Sequence, residues 1–464
     1  MDPSLLYIIN QDSFLDSAIT TDDLLSGHSY LVDQSPPSIS INIKVAPASS
    51  AESIVSEKYV SVEDYQQLHQ LKDRFDHPRF DKARKQTNPF ENLGNSIFMN
   101  RAAIKLANID AVFNLTKNAG SYTEGVVEAA VDRQNLLLYP REETFSYATI
   151  AEAPGGFTQY LQYRRPNSRG YAMSLSPSKG GIKWRTDKLN MSQRKLVIYG
   201  GLDDSGDLYT QANAFATFVR GHYEEDGVEL LTADGGFEIG PGQYNQQEFL
   251  STRLILSEIL MAMKLVRKGG SMVIKMFDTV TEMTAQLLML VGLSFKQFYL
   301  FKPLSSRPAN SEKYLVAVDK LANDDLVYYT QIIDEAWDKF TEDIIVTNLF
   351  DYDDSHPWIV QFRQWLQESN NYFVKEETFY GQQIIKYLEN HTVTYPMLSL
   401  YKAFTIWGIP DNPRPILGNT SKTVYISNLP QEKNLQPLTS RDGTTGTGGT
   451  TVAFEYQRWL NYQK

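Results

Sequence analysis

An α/β fold built on a doubly wound, mainly parallel sheet is the architecture that this 464-residue sequence predicts, and three observations carry the expectation. Between residues 61 and 321, short apolar runs alternate with stretches of helical periodicity, as strands joined by crossover helices do. The first run, FSYATIAEA, ends at Pro154, Gly155 and Gly156, where the helical stretch FTQYLQYRR begins. The last two runs, FKQFYLFKP and KYLVAVD, are joined only by the loop LSSRPANSE, so they close the sheet as a strand pair.

The remaining elements follow in order. Residues 1–60 contain DQSPPSISINIKVAPASSAES, whose Ser and Pro content reads as a tail or linker holding at most short strands. GYAMSLS, KLVIYGG and GVELLTADGG are strands bounded by turn residues, and QEFLSTRLILSEILMAMKLVRKGG is a long amphipathic helix. That helix is expected to close with Arg267 and Lys268 in its last turn and Gly269 and Gly270 beyond it. SMVIKMF then reads as a strand and TEMTAQLLMLVG as a helix. Residues 322–464 form a mainly helical accessory region in which Trp337, Phe340 and Ile344 recur at helical spacing, with a Gly/Thr-rich flexible loop, DGTTGTGGTT, near its end.

Composition removes several classes of function. The chain contains no cysteine, which excludes disulfides, thiolate nucleophiles and cysteine-ligated metal sites. No uninterrupted apolar run approaches the ~18 residues of a membrane span, and the acidic start MDPSLLYIINQDSFLDSAITTDD lacks the basic-then-apolar order of a secretory signal. No membrane association and an intracellular address are the expectations. The six histidines, His69 and His77 among them, show no short spacing, so no metal site is expected. The net charge of -11 conceals local basic runs. Residues 164–195 hold nine Lys or Arg against one acid, Asp187, and LKDRFDHPRFDKARK adds six more. These runs read either as a polyanion-binding surface or as a solvated face, and Tyr163 and Trp184 within the first either stack on bases or pack.

Chemistry gathers where strands end. Gly155 and Gly156 either let backbone approach a ligand closely or make an ordinary tight turn, and the three-glycine dinucleotide fingerprint and the lysine of a phosphate-binding loop are both missing. Asp234 ends an apolar strand and belongs at the same sheet edge. Lys275 sits inside MVIKMF, where a lysine is costly to bury unless paired. Glu312 begins the final strand, and Lys105 lies on an otherwise apolar helix, so two lysines and two carboxylates can form a neutral cluster.

The blocks ARKQTNPFENLGNSIFMNRAAIKLANIDAVF, APGGFTQYL, GGLDDSGDL, TADGGFE, GGSMVIKMFD and LFKPLSSRPANSEKYLVAV, in this order over Arg84 to Asp319, resemble the FtsJ/RrmJ-like Rossmann-type 2'-O-ribose methyltransferases. Among these they are most similar to the eukaryotic-type mRNA cap-1 enzymes. The resemblance implies a Rossmann-type sheet with an N-terminal extension and a Lys-Asp-Lys-Glu tetrad of Lys105, Asp234, Lys275 and Glu312. It implies methyl transfer from S-adenosylmethionine to the ribose 2'-hydroxyl of the first transcribed nucleotide of capped RNA. Lys275 would be the base, its pKa lowered by burial and by Lys105. The cofactor would be held by Ala151, Glu152, Ala153, Pro154, Gly155, Gly156 and Phe157, with Asp207 and Leu208 on the adenosine side. Asp203, Asp204 and Asp207 read equally as a plain turn.

One departure concerns the acid that this family often carries on the first strand: this chain has Thr149 there, with Glu152 nearby. For the RNA, the resemblance points to Arg84, Asn245 and Asn310, while Arg307 reads instead as a loop anchor. The C-terminal region is expected either to hold a protein partner or to extend the RNA path. Other readings are ribosomal or transfer RNA as substrate, a non-catalytic RNA-binding protein on this fold, and a nicotinamide-dependent oxidoreductase, whose three-glycine loop is absent.

Overall fold

The computed structural model describes residues 35–48, 55–88, 91, 96–116, 145–192, 195–224, 226–237, 246–389 and the single positions 404, 407 and 409. Asn245 and the Gly/Thr-rich stretch lie outside the described residues. The central sheet has seven strands, β2 (Phe145–Ile150), β3 (Ser168–Met173), β4 (Leu196–Ile198), β5 (Val228–Ala233), β6 (Val266–Met276), β7 (Phe295–Phe301) and β8 (Lys313–Lys320), in the order β4-β3-β2-β5-β6-β8-β7. Its neighbours are parallel except β8, which runs antiparallel to both β6 and β7, as a strand joined to β7 by a loop alone must. Strand order reverses between β2 and β5, which opens a crevice at their carboxyl ends.

Alternation along each strand divides the core into two faces. Leu230, Val273, Tyr314 and Val316 pack with helices α3 (Arg101–Phe113) and α4 (Gly156–Arg164) on one face. Leu231, Ile274 and Leu315 pack with α5 (Leu208–His222), α6 (Gln247–Leu265) and α7 (Glu282–Ser294) on the other. The sheet is thus covered on both sides, which its wholly buried β2 and β5 require.

The expected end of α6 is not what forms. The helix stops at Leu265 with Lys264 in its last turn, and the chain enters β6 at once, so Arg267 and Lys268 are strand residues. Arg267 pairs with Glu229 at 2.9 Å, and Gly269, at φ 72°, accompanies a register shift between β5 and β6.

Helical spacing in the C-terminal part also misled at one point. α8 (Asp325–Lys339) buries one face, but Ile344 begins a strand, β9 (Ile344–Tyr352), that pairs antiparallel with β1 (Ile39–Pro47) from the Ser/Pro-rich stretch. Helix α9 (Pro357–Leu388) then packs against α1 (Val62–Asp73) and α2 (Phe80–Gln86), burying Phe75, Ala83, Ile384 and Leu388 together. Among the described residues no helix is long and apolar enough to cross a membrane.

Candidate active site

Strand parity decides which charged side chains meet. Ala233 pairs with Ile274, which brings Asp234 level with Lys275, and Lys275 lies opposite Tyr314. Asp234, Lys275 and Glu312 share parity with Thr232, Val273 and Tyr314, so all three belong to the face covered by α3. Lys105 is the partly exposed residue of an α3 turn whose neighbours Ala103, Ile104 and Leu106 are buried. The four residues come together as two ion pairs, Lys275 Nζ to Asp234 Oδ1 at 3.2 Å and Lys105 Nζ to Glu312 Oε1 at 2.7 Å. Lys275 Nζ also donates to the Asp234 carbonyl at 2.9 Å.

Two neighbours were not identified from the sequence. The Tyr314 hydroxyl donates to Asp234 Oδ1 at 2.7 Å, and the Ser306 hydroxyl donates to Glu312 Oε1. A tyrosine two residues after Glu312 in a strand must share its face, which is the signal that could have found it.

The electrostatics run against one expectation. Burial pushes the Lys275 ammonium towards losing its proton, but Asp234 and Glu312 outweigh that, and its pKa is raised, not lowered. Burial raises Glu312, and the cations of Lys105 and Lys275 overcome it, holding the carboxyl well below the usual range. The cluster therefore stands as a closed pair of salt bridges with Lys275 charged.

The turn after β2 is shaped by packing as much as by access. Gly155 has φ 111°, and Trp184 and Leu189 lie against it. A Cβ on Gly156 would fall 2.1 Å from Asn100 Oδ1 and 2.9 Å from Ala102 Cβ, so this glycine lets α4 start against the beginning of α3. Ala151 takes φ 52°, and a Cβ on Gly235 would stand 3.1 Å from its methyl, so the β2 and β5 turns meet across the crevice with small residues only. The Glu152 carboxylate turns onto α4, accepting from Phe157 N at 3.0 Å, Thr158 N at 3.2 Å and the Thr158 hydroxyl. Thr149 Oγ1 reaches the same Thr158 hydroxyl at 2.9 Å, so Glu152 brings a carboxylate close to where the first strand lacks one. Burial raises Glu152 to about 8 despite these donors.

At the end of β4, Asp207 Oδ1 accepts from Tyr209 N at 2.9 Å as the N-cap of α5, and Leu208 is buried in the core. Asp203 accepts from Ser205 N at 3.0 Å within the turn.

Glu258 of α6 is a further residue missed in the sequence. Only 1% exposed, it faces the Gly235 backbone, and neither oxygen accepts a hydrogen bond of normal geometry among the described residues. Burial raises its pKa from 4.5 to about 8, although Lys275 pulls it down. A carboxyl raised in the folded state keeps a proton there that the unfolded chain has released, so stability falls as pH rises between these values. Glu258→Gln, neutral at every pH, should show a smaller loss of denaturation midpoint between pH 5 and pH 8 than the wild type. An equal loss in both proteins would mean that Glu258 is already ionised at neutral pH.

The basic run of residues 164–195 does not form one surface. Arg164 pairs with Asp110 at 3.5 Å, Arg165 is buried over the Phe145 ring, Arg169 pairs with Glu224 at 3.1 Å, and Lys195 donates to the Pro166 carbonyl at 2.9 Å. These positions flank the starts of β3 and β4, at the sheet edge opposite the tetrad. Lys179 and Lys183, in the crossover at the carboxyl end of β3, are exposed, and Arg185 N donates to the Pro154 carbonyl at 3.0 Å. Tyr163 is buried edge-on to Phe98, and Trp184 packs on Gly155, so both pack.

Arg84 pairs with Asp81 at 2.7 Å on α2, whose buried Ala83 joins a cluster that Ala309 packs against. Asn310 accepts from Lys302 Nζ through Oδ1 at 3.0 Å. Arg307 pairs with Glu91 at 3.3 Å, and Glu91 also pairs with Arg101 of α3 at 3.1 Å, the geometry of a loop anchor. Burial raises Glu91, but these arginines and Asn88 bring it to about 2. His69 packs against Tyr65, and His77 Nδ1 accepts from Arg79 N at 3.0 Å.

Comparison with known proteins places this geometry. Residues 98–320 match the FtsJ-like methyltransferase family. Cap-specific mRNA (nucleoside-2'-O-)-methyltransferase 1 of Homo sapiens is 32% identical over 354 residues, 72% of this chain and 40% of that protein. The protein of the same name from Danio rerio is 37% identical over 242 residues, covering 51% of this chain and 28% of that one. The one from Drosophila melanogaster is 30% identical over 347 residues, covering 72% and 42%. The chain therefore spans less than half the length of these curated relatives. Over residues 98–320, which include the crevice and all four tetrad positions, the chain belongs to the FtsJ-like methyltransferase family.

Proposed function

We propose that this chain is a cap-specific mRNA 2'-O-methyltransferase, which moves a methyl group from S-adenosylmethionine to the ribose 2'-hydroxyl of the first transcribed nucleotide, converting cap-0 to cap-1. The observation that carries the reading is the paired tetrad Lys275–Asp234 and Lys105–Glu312 at the carboxyl edge of the sheet, beside a turn lined by small residues. The relatives, named as cap-specific mRNA methyltransferases, support the capped-mRNA substrate and, with it, an intracellular place of work. The methyltransferase domain is read as residues 61–321, with residues 322–464 as an accessory region.

The crevice fits the cofactor chemically. Ala151, Gly155 and Gly235 let the β2 and β5 turns pack closely at the crevice, Gly155 against Trp184 and Leu189 and Gly235 against the buried Glu258 carboxyl, and the half-buried Ala151 borders the space a ligand would enter. Residues of the Ala151–Phe157 turn would hold the methionine end, and the β4–α5 turn at Asp207 the adenosine end. S-adenosylmethionine supplies an activated methyl group and a positive charge, and a like charge beside an ammonium favours its deprotonation.

The chain's own residues then manage one proton. Lys275 accepts it from the 2'-hydroxyl as the oxygen takes the methyl group, after releasing to solvent the proton it holds in the resting cluster. Asp234, held by Tyr314, fixes where Lys275 Nζ points. Glu312 and Lys105 hold each other at the rim, and Arg84 and Asn310 would contact the RNA.

Methyl transfer from labelled S-adenosylmethionine to short RNAs with an N7-methylated guanosine cap, against uncapped controls, tests the reading. Label on the first ribose of capped RNA only supports it. Equal labelling of uncapped RNA would replace it with a broader RNA ribose methyltransferase, and cofactor binding without any transfer would favour a non-catalytic RNA-binding role.

Phosphate contacts should come from the carboxyl edge. Replacing Lys179 and Lys183 together by Gln should reduce the slope of log affinity against log salt by about 1.4, as two phosphate contacts on a single strand require. Arg164→Gln should leave the slope unchanged, and a reduction there would return the amino edge to the RNA footprint.

A further inference from the structure

Lys302, the residue after β7, is 4% exposed, a costly place for an ammonium unless it is doing a job. Its Nζ donates to the Glu312 carbonyl at 2.8 Å, to Asn310 Oδ1 at 3.0 Å and to the Asn310 carbonyl. One cation at the start of the loop thus grips its far end, immediately beneath Glu312. The loop is also tied by Leu304 N, which donates to Asn108 Oδ1 of α3 at 2.7 Å, so besides Arg307 it is anchored by Lys302 and by the helix that carries Lys105.

Charges from remote parts of the chain surround this lysine. Burial lowers its pKa to about 8, Glu377 of α9 and Glu312 act to raise it, and Lys313 and Lys72 act to lower it. Glu377 is itself buried and pairs with Lys72 of α1 at 2.8 Å. Lys313, next to Glu312, turns by strand alternation to the opposite face, where it lies 5.1 Å from the Phe373 ring centre of α9 and interacts with Asp278 and Glu377. The peptide that carries Glu312 is therefore held between Lys105 in front and a buried set of charges contributed by α1 and α9 behind.

We propose that Lys302 is a positioning residue for methyl transfer: it fixes the loop of residues 303–312 so that Glu312 meets Lys105. Behind that loop, α9 packs Phe373 against Lys313, the residue next to Glu312. This inference rests on the methyltransferase reading above.

The test uses the full chain and compares wild type, Lys302→Met, Lys302→Gln and Lys302→Arg for kcat, KM for capped RNA, and cofactor affinity by calorimetry. A displacement of order 1 Å at a reacting site costs about 10²-fold, so Lys302→Met should lose about that in kcat while cofactor affinity stays within about twofold. Lys302→Arg, which keeps charge and donors, should recover part of the loss. Wild-type kcat in Lys302→Met, or equal losses in kcat and cofactor affinity, would overturn the inference. Should Lys302→Met not fold, Lys302→Gln, which keeps one donor group without the charge, decides: unchanged kcat overturns the proposal, and a fall in kcat at constant cofactor affinity supports it. A wild type that transfers no methyl group to any RNA overturns the functional reading itself, a result distinct from an active wild type with unaffected variants.

Discussion

Lys275→Ala is expected to lower the rate of methyl transfer by about 10²- to 10⁴-fold, the range contributed by a positioned acid–base group. The loss should fall on kcat. Lys275 lies on the α3 side of β6, paired with Asp234, while the cofactor turn starts from β2 and keeps its own packing through Asn100, Ala102 and Trp184. Cofactor affinity measured by calorimetry should therefore survive the substitution. The pH dependence gives an independent reading. Asp234 and Glu312 raise the proton affinity of Lys275, so the deprotonated fraction grows as pH increases and the wild-type rate should climb through the alkaline range. That limb should vanish in the variant, and a variant retaining most of the rate, with the limb intact, would assign the proton to another acceptor.

Glu377→Ala should cost about 3–5 kcal/mol of stability, as removal of one partner from a buried ion pair does. The side chains of Lys72 and Glu377 are 4% and 3% exposed, and without Glu377 the buried Lys72, Lys302 and Lys313 would face Asp278, Glu312, which is already paired with Lys105, and Glu248, whose carboxyl burial raises to about 7. Water cannot screen that excess. By contrast, Arg84 and Asp81 form a pair whose side chains are 31% and 76% exposed, and Asp81→Ala should change stability by no more than about 1 kcal/mol. Chemical denaturation of both variants checks the comparison. A Glu377→Ala midpoint no lower than that of Asp81→Ala would mean that water reaches the α1–α9 interface.

Much of the fold was legible in the sequence because strands and helices of a doubly wound sheet carry their own hydrophobic periods. The exceptions share a cause. Arg267 and Lys268 read as the end of a helix because basic residues and glycines favour helix C-termini, yet β6 pairs with β5 on either side of them, at Val266 and from Ser271 onward, and carries them in the irregularity between. Ile344 continues a helical spacing by chance, and β1, from about 300 residues earlier, supplies the strand partner that overrides it.

Side-chain direction was the harder part. Glu152 was legible as an acid in the cofactor turn, but only packing shows that its oxygens cap α4. The cations between residues 164 and 195 lie close in sequence, but among the described ones Arg164, Arg165, Arg169 and Lys195 flank the starts of β3 and β4 while Lys179 and Lys183 lie beyond the carboxyl end of β3. Glu258 and Lys302 were invisible because a single acid in an amphipathic helix, or a lysine before a proline, reads as a surface residue until burial is known.

The sequence by itself determined the order of strands and helices, the small-residue turn after the first sheet strand, and the identities of Lys105, Asp234, Lys275 and Glu312, because these are matters of period and residue type. Only the tertiary structure decided that three of the four side chains lie on one strand face with Lys105 meeting them from α3, that nearby carboxylates favour the charged form of Lys275, and that α9 packs on Lys313 behind the Glu312 loop. Register sets the first, the balance of burial against nearby carboxylates sets the second, and packing between segments far apart in the chain sets the third, none of which a local window of sequence contains.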